Sequence, residues 1–296
     1  MRIVSLVPHA TELLFALGLG DQVVGVTHEC DHPTAALLRP HVTRDLLPAG
    51  LSSGEIDAAV REHTEQGGSI YGLDAAKLRE LAPDLIVTQA LCAVCAVSAD
   101  DVRKIAEELP TKPKVVSLDP TTIGETMADV RTIAQATGVR QAAVDLVARQ
   151  RARIDAVAEA VADARPVTVA ALEWFDPVFV AGHWTPQLIE LAGGFDVLGM
   201  PGEHSVQSTW EAVAAAKPEV VVCMPCGYDA ARSLREAQDH ADALRAVGAR
   251  QVLAVDASSY FSRPGPRLVD GLELLAHALH PDLVPEAPAR ALTVEL

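Results

Sequence analysis

The chain has 296 residues, a length that fits two lobes better than one minimal domain. Of these residues, 49% are hydrophobic but only 4% are aromatic. Alanine and valine supply much of the apolar content, a mixture typical of helices packed on β-branched strands and hence of an α/β fold. The formal net charge is −16, with 40 acidic and 24 basic residues. Such a surface repels phosphate backbones and anionic membranes, so we expect no nucleic-acid partner.

The first residues already have the pattern of a core strand. Residues 3–7 are not preceded by the basic segment, long apolar stretch and cleavage site of an export signal. No run in the sequence approaches about 20 apolar residues, the length that spans a membrane. We therefore expect no membrane insertion and a cytoplasmic location. In a reducing compartment, five cysteines indicate thiols, metal ligands or redox chemistry before structural disulfides.

Short apolar runs alternate with helical patterns along the chain, as in α/β folds. The first lobe has strands predicted at residues 3–7, 23–26, 85–87 and 115–118, and helices predicted at 11–17, 55–65 and 75–81. Residues 140–163 contain no glycine or proline and repeat apolar positions at helical spacing. They predict one long helix of roughly 36 Å, which would act as a rigid connection.

The second lobe repeats the alternation, with strands predicted at residues 167–172, 178–181, 220–223 and 252–255. The expected organisation is therefore an N-terminal lobe at residues 1–121, a connecting helical segment at 122–165 and a C-terminal lobe at 166–296. Residues 81–87 and 216–222 share a helix end, a proline, an acidic residue and a buried strand, and a Cys-x-x-Cys follows each. This repetition predicts that the two lobes are related by pseudo-symmetry.

The arrangement resembles the class III periplasmic-binding-protein-like family, the substrate-binding proteins of iron-siderophore and cobalamin importers, and its cobalamin-binding branch in particular. The resemblance is carried by residues 2–8 with Thr11 and Glu12, by residues 83–87, 192–194 and 218–222, and by the long helix. It implies two Rossmann-like lobes joined by one rigid helix, with a ligand cleft between the lobes and little hinge motion.

Two features depart from the family pattern. The family carries an export signal, which we do not see at the start of this sequence. Its members also dock on an ABC permease through one glutamate per lobe, at positions that fall on Glu211 and, in the first lobe, on Ala76. A permease partner is therefore doubtful, and the chain is expected to be a cytosolic, cysteine-rich variant of the family.

All five cysteines follow predicted strands, where open α/β sheets bind ligands. Two Cys-x-x-Cys pairs have the usual ligand spacing for zinc or an iron–sulfur cluster. The metal-ligand prediction comprises Cys30, Cys92, Cys95, Cys223 and Cys226. Two alternatives stay open: cysteines can be small buried hydrophobes, and the spacing also matches a redox dithiol.

Aromatic residues bracket a short strand of the second lobe in a chain that has few of them. Trp174 and Phe175 precede that strand, and His183 and Trp184 follow it. Tryptophans at strand ends form flat, rigid walls for a planar ligand such as a corrin ring, although they can equally cover a hydrophobic core. The remaining predicted cofactor-binding residues are Tyr71, Arg263 and Arg267. The arginines could grip carboxylate or phosphate groups, or could project from a rigid turn into solvent.

Two functions follow from these observations. The first is a cytosolic protein that binds a small-molecule ligand, cobalamin or a related metal-containing cofactor, in the cleft. The alternative is a metalloprotein or enzyme that holds an iron–sulfur cluster or zinc through its cysteines in the same cleft. The sequence has no match to a phosphate-binding loop, a dinucleotide-binding fingerprint or a nucleophile elbow. Hydrolase or dehydrogenase chemistry therefore has no support, and whether the protein is an enzyme stays open.

Overall fold

The computed structural model describes residues 1–48, 50–65, 69–90 and 98–296. These residues form two compact units, Met1–Pro120 with Glu125–Val147 and Thr121–Gly124 with Ala148–Leu296. Each unit combines a mainly parallel sheet with helices, so the predicted α/β class with two lobes is confirmed.

The first unit is built on a four-stranded sheet in the order β2-β1-β5-β6, in which every neighbouring pair is parallel. The strands of the whole unit are β1 (Ile3–Ser5), β2 (Val23–Gly25), β3 (Thr43–Asp45), β4 (Tyr71–Leu73), β5 (Leu85–Thr88) and β6 (Lys114–Ser117). Its helices are α1 (Pro8–Ala16), α2 (Ser53–Glu65), α3 (Ala75–Leu81) and α4 (Ala99–Glu108), with 3-10 turns at Gly20–Gln22 and Thr34–Leu38. Strands β3 and β4 form a separate antiparallel pair.

Continuous apolar strands explain why this sheet is buried. Ile3, Val4, Leu85 and Ile86 are almost fully inaccessible, which requires cover on both faces of the sheet. One core cluster brings Val4 and Ile86 against α3 and α4. The strands were therefore predictable from unbroken runs of apolar residues without the alternation of a half-exposed strand.

Two helices follow the first sheet, α5 (Ile123–Thr137) and α6 (Arg140–Ala160). Helix α6 has 21 residues and ends three residues before the predicted end of the long helix. The border between the two units falls within α6, after Val147. In the second unit, the Arg153 guanidinium contacts Asp270 at 2.5 Å and Glu273 at 2.6 Å, which fixes the end of α6 on a later helix.

The second unit has a seven-stranded sheet in the order β10-β8-β7-β11-β12-β13, with β9 also paired to β7. Its strands are β7 (Val167–Phe175), β8 (Val178–Val180), β9 (Gly194–Asp196), β10 (Val206–Gln207), β11 (Val220–Cys223), β12 (Gln251–Ala254) and β13 (Leu292–Thr293). Its helices are α7 (Thr185–Leu191), α8 (Trp210–Ala216), α9 (Ala230–Asp239), α10 (Ala241–Val247), α11 (Ala257–Tyr260) and α12 (Leu268–Leu279). Strands β9, β7, β11 and β12 run parallel, whereas β8, β10 and β13 are antiparallel to their neighbours.

The sequence repetition corresponds to repeated local geometry. Helices α3 and α8 each have seven residues. The side chain of Asp74 caps the start of α3, as that of Thr209 caps α8. Each helix ends at a left-handed residue, Ala82 at φ 42° and Lys217 at φ 49°. A proline and then the buried strand β5 or β11 follow, so the two units share this element.

Across the described ranges, no helix is both long enough and apolar enough to cross a lipid bilayer.

Candidate functional site

The parallel strands of the second unit end at a common edge. Leu172 of β7, Cys223 of β11 and Ala254 of β12 lie side by side in register. Ligands bind beyond such carboxyl ends in open α/β sheets. We call the segments there the unit 2 edge and define it as residues 173–174, 182–184, 203–205, 224–228 and 256–263.

Trp174 lies at the unit 2 edge because β7 continues past the end of β11. The pairing of β7 with β8 shifts between Leu172 and Trp174, and a bulge of this kind redirects side chains. The Trp174 ring is half-buried and meets Tyr228 edge-on, with ring centres 5.5 Å apart. Its Nε1 donates a hydrogen bond to the Asp176 carbonyl at 3.1 Å. The Arg232 guanidinium lies 3.7 Å from the centre of the Tyr228 ring, so aromatic and cationic surfaces adjoin.

Phe175 and Trp184 were predicted as ligand-facing walls, and the structure places both side chains inside the second unit. Phe175 is 2% exposed and packs against Trp210 and His240. Trp184 is 6% exposed and donates its Nε1 hydrogen bond to the Phe261 carbonyl at 2.7 Å. These two aromatic side chains stabilise the core and present almost no surface to a ligand. Phe175 points inward because side chains alternate along a strand and its neighbour Trp174 is half-exposed.

His183 lies at the unit 2 edge and contacts a second histidine. Its Nε2 is 3.1 Å from Nδ1 of His204, and the two rings meet at 87°. Burial lowers the pKa of His183, and the charge of His204 lowers it further. Both effects favour the neutral form of the His183 imidazole, whose Nε2 contacts its neighbour.

The two predicted arginines follow the segment that packs on the 224–228 loop. Ser258 N donates to the Tyr228 carbonyl at 3.0 Å, and Gly227 N donates to Ser262 Oγ at 3.4 Å. Arg263 comes directly after Ser262 and is half-buried. The Arg267 guanidinium lies 5.8 Å from the centre of the Tyr260 ring. The structure therefore brings Trp174, Cys226 and Arg263 to segments that share one edge.

Tyr71 lies in the first unit. Its hydroxyl donates a hydrogen bond to Glu29 at 3.0 Å, and its ring lies 5.4 Å from that of His28. It lines an open groove of about 300 Å³. The other residues lining this groove are Ser69, Leu73, Asp101, Lys104 and Ile105. A groove of this size lies at the lower end of the volumes of small-molecule sites.

A sequence profile of the family described as periplasmic binding protein matches residues 3–258. The chain belongs to the periplasmic binding protein family. This protein is 23% identical over 274 residues to the vitamin B12-binding protein of Vibrio cholerae, a match that covers 92% of this chain and 86% of the relative. It is 26% identical over 291 residues to an uncharacterized ABC transporter substrate-binding lipoprotein of Bacillus subtilis, covering 96% of this chain and 82% of that protein.

The fold also matches solved structures. A periplasmic haem-binding protein from Pseudomonas aeruginosa superposes with a TM-score of 0.70 at 20% identity, over 100% of this chain and 98% of the other. The resemblance inferred from the sequence is thereby confirmed at the level of family and fold. The prediction that the chain is a cysteine-rich variant of its family finds no support.

The predicted cytoplasmic location is wrong. It rested on the first residues of the sequence, whereas the family is that of periplasmic binding proteins and one relative is a lipoprotein. The doubt about an ABC permease is corrected in the same way, since that relative is named as an ABC transporter substrate-binding protein. The argument from a reducing compartment to cysteine ligands loses its premise as well.

The structure places the described cysteines in different environments. Cys223 is fully buried in the core of the second unit, and burial raises the pKa of its thiol well above the usual range. Cys226 is exposed, and Cys30 is buried in the first unit with its Sγ 3.0 Å from Thr11 Oγ1. Cys92 and Cys95 lie outside the described residues.

The prediction of a cysteine-bound iron–sulfur cluster or zinc ion finds no support. Within residues 1–48, 50–65, 69–90 and 98–296, no group of three or more histidine, cysteine or acidic side chains is placed to hold a metal ion. A thiol such as that of Cys223 resists the deprotonation that metal ligation requires, because its surroundings are apolar.

Serine substitutions separate a packing role of Cys223 from a ligand role. Cys223→Ser places a hydroxyl in an apolar cluster, so we expect the free energy of unfolding to fall by about 1.5 kcal/mol. Cys226→Ser changes an exposed side chain and is expected to stay within about 0.5 kcal/mol of the parent protein. Urea denaturation measures both. Equal effects of the two substitutions, accompanied by loss of a bound metal, would contradict this assignment.

Several residues at or beside the unit 2 edge were not predicted from the sequence. Tyr228 follows Cys226 by two residues, so its position after β11 was an available signal. Arg232 lies one helical turn further on, at the start of α9. His204 and Ser205 gave no signal, because only the folded chain brings them to Glu173 and His183.

Proposed function

We propose that this protein is the extracytoplasmic substrate-binding component of an ABC importer and that it captures a corrinoid. A family match to periplasmic binding proteins supports the general role. The vitamin B12-binding relative supports a corrinoid in particular, and the haem-binding structural match supports a planar, metal-bearing ring as the ligand class.

The contact between Trp174 and Tyr228 at the unit 2 edge carries this proposal. The half-buried Trp174 ring and the buried Tyr228 ring meet edge-on, and together they make a rigid aromatic surface at this edge. Ligand pockets combine such surfaces with a few well-placed polar groups. Arg232 beside Tyr228 supplies one polar group. Arg263 and Arg267 are the predicted partners of the polar groups around the edge of the ligand's macrocycle.

The same residues suit the chemistry of a corrinoid. Its flat macrocycle matches an indole face, and its amide and phosphate groups are acceptors for guanidinium donors. Of the residues predicted from the sequence, Trp174, His183, Arg263 and Arg267 are retained in the proposed site. Tyr71 stays a predicted contact of the first unit.

We also propose that Glu211 contacts the permease. Its side chain is exposed in the first turn of α8. A hydrogen bond from its own backbone N–H lowers the pKa of this carboxyl, and the Thr209 hydroxyl lowers it further. The carboxylate is thus charged at neutral pH and available to a cationic partner. Ala76 occupies the equivalent position of α3, so the acidic contact would come from the second unit alone.

Replacement of Trp174 by alanine tests the proposed ligand site. We expect the full chain to bind cyanocobalamin and Trp174→Ala to bind it at least about tenfold more weakly, because the aromatic surface is removed. Equilibrium dialysis followed by visible absorbance measures the bound corrinoid. Phe195→Ala is the matched control, since Phe195 is an exposed aromatic on β9 away from the unit 2 edge.

Three results would contradict the proposal in different ways. Binding of hemin without cyanocobalamin would move the ligand to porphyrins. Equal weakening by Phe195→Ala would remove the site from the unit 2 edge. Failure to bind either ring would refute the tetrapyrrole class.

A further inference from the structure

Two loops of the second unit are held together by backbone contacts. His183 N donates to the Glu203 carbonyl at 2.5 Å, and Gly202 N donates to the His183 carbonyl at 2.9 Å. Gly182 N donates to Ser205 Oγ at 3.2 Å. A Cβ atom on Gly182 would lie 2.5 Å from the Glu203 carbonyl oxygen, so the approach of these loops requires glycine.

The backbone of His183 is held in an unusual conformation by these contacts. His183 has φ 52°, a left-handed conformation that costs about 1 kcal/mol or more in a residue other than glycine. The surrounding backbone bonds maintain it. Strain of this kind, held by neighbouring structure, is characteristic of residues with a positioned functional group.

The spacing of the two ring nitrogens fits a shared metal ion. Nε2 of His183 and Nδ1 of His204 lie 3.1 Å apart. Imidazole nitrogens bind metals such as zinc at about 2.1 Å, so an ion equidistant from both would subtend an N–metal–N angle of about 95°. That angle belongs to adjacent positions of octahedral or square-planar coordination, which Ni²⁺ and Cu²⁺ adopt with nitrogen ligands.

We propose that His183 and His204 form a binding site for a divalent transition-metal ion such as Ni²⁺, coordinated through His183 Nε2 and His204 Nδ1. The exposed position of His204 leaves the remaining coordination positions to water or to donor atoms of a small chelating molecule. A corrin or porphyrin ring fills the four equatorial positions of its metal and leaves only two opposite ones. Two adjacent imidazoles therefore cannot both ligate a macrocyclic metal, so this site is distinct in chemistry from corrinoid capture, although both would use His183.

Nickel titration of the full chain tests this site. We expect isothermal titration calorimetry with NiCl2 at neutral pH to show one Ni²⁺ ion per histidine pair. His204→Gln removes one ligand from an exposed position and should weaken binding at least about tenfold. His183→Asn removes the other while keeping a residue that tolerates the left-handed conformation, with a similar loss expected. His41→Gln, an exposed histidine of the first unit, should leave the affinity unchanged.

The outcomes are decisive in both directions. Loss of nickel binding in the His204→Gln protein, with an unchanged melting temperature, supports the site. Absence of Ni²⁺ binding to the parent protein would refute it. Binding that persists in His204→Gln, particularly with nickel–thiolate charge-transfer absorption, would assign the metal to cysteine and overturn the proposal. Cyanocobalamin binding measured on the His204→Gln protein, which keeps all the residues of the proposed corrinoid site, separates failure of this site from failure of the corrinoid function.

Discussion

Replacement of Gly182 by alanine is expected to lower the free energy of unfolding by about 3 kcal/mol. The new Cβ would lie 2.5 Å from the Glu203 carbonyl oxygen and 2.6 Å from both His204 C and Ser205 N. All three are backbone atoms, which cannot rotate away as a flexible side chain can. The two loops must therefore separate, and overpacking of this kind costs about 1–3 kcal/mol.

Thermal unfolding of the full chain measures this effect. A loss of about 3 kcal/mol corresponds to a melting temperature lower by roughly 6–12 °C for a unit of this size. Gly124→Ala is the matched control, because a Cβ there meets only Thr122 Oγ1 at 3.8 Å and the residue lies in α5. Alanine is the better helix former, so this control should be neutral or stabilising by up to about 1 kcal/mol. A Gly182→Ala protein as stable as its parent would show that the loops are not in contact.

The sequence predicted the parallel strands well because their burial is continuous. Residues 220–223 were predicted without error at both ends, since a short β-branched run between Pro218 and Pro225 has few other interpretations. The short strands β3, β4, β9, β10 and β13 escaped prediction. Each has two or three residues, too few for a period to emerge, and each is defined by pairing with a partner distant in the chain.

The candidate site was less accessible to sequence reasoning. Trp174 was predicted to precede a short strand, whereas the structure places it near the end of β7, where the side that Trp174 and Phe175 face depends on the bulge in that strand. Cys223 shows the opposite case. It was predicted as a metal ligand from the Cys-x-x-Cys spacing, but it ends a run of valines buried on both faces of the sheet, a context that favours a core residue.

Contacts between loops carried no sequence signal at all. His183 and His204 are 21 residues apart and belong to segments whose approach depends on Gly182. Gly182 precedes His183, and a glycine at that position is compatible with any turn. Only the folded backbone shows that its missing side chain admits the second loop.

Asp129 is expected to make the stability of the protein fall as pH rises from about 4 to about 7. This half-buried carboxyl lies on α5, and its Oδ2 has no hydrogen-bond partner among the described residues. Burial raises its pKa to about 7, and the charges of Asp119 and Glu125 contribute to the same shift. In the unfolded chain the group ionises near its ordinary pKa of about 3.9.

The sign follows from proton linkage. Below about pH 4 the carboxyl is protonated in both states, so its contribution to stability is fully present. Between about pH 4 and 7 the folded state holds a proton that the unfolded state has lost, and the free energy of unfolding decreases with pH. The shift corresponds to about 4 kcal/mol at full value. Solvent screening of a partly exposed group reduces the expected loss to about 2 kcal/mol.

Asp129→Asn removes this titration and should raise the free energy of unfolding by about 2 kcal/mol at about pH 8, with little change at about pH 4. Urea denaturation across that range measures the profile. Glu125→Gln provides a graded test, since removing one of the like charges should lower the pKa of Asp129 and move the decline to lower pH. Asp145→Asn, an exposed residue of α6, controls for loss of a carboxylate as such. If the Asp129→Asn and parent profiles are parallel from about pH 4 to 8, Asp129 is solvated in the folded state and the burial that raises its pKa is absent.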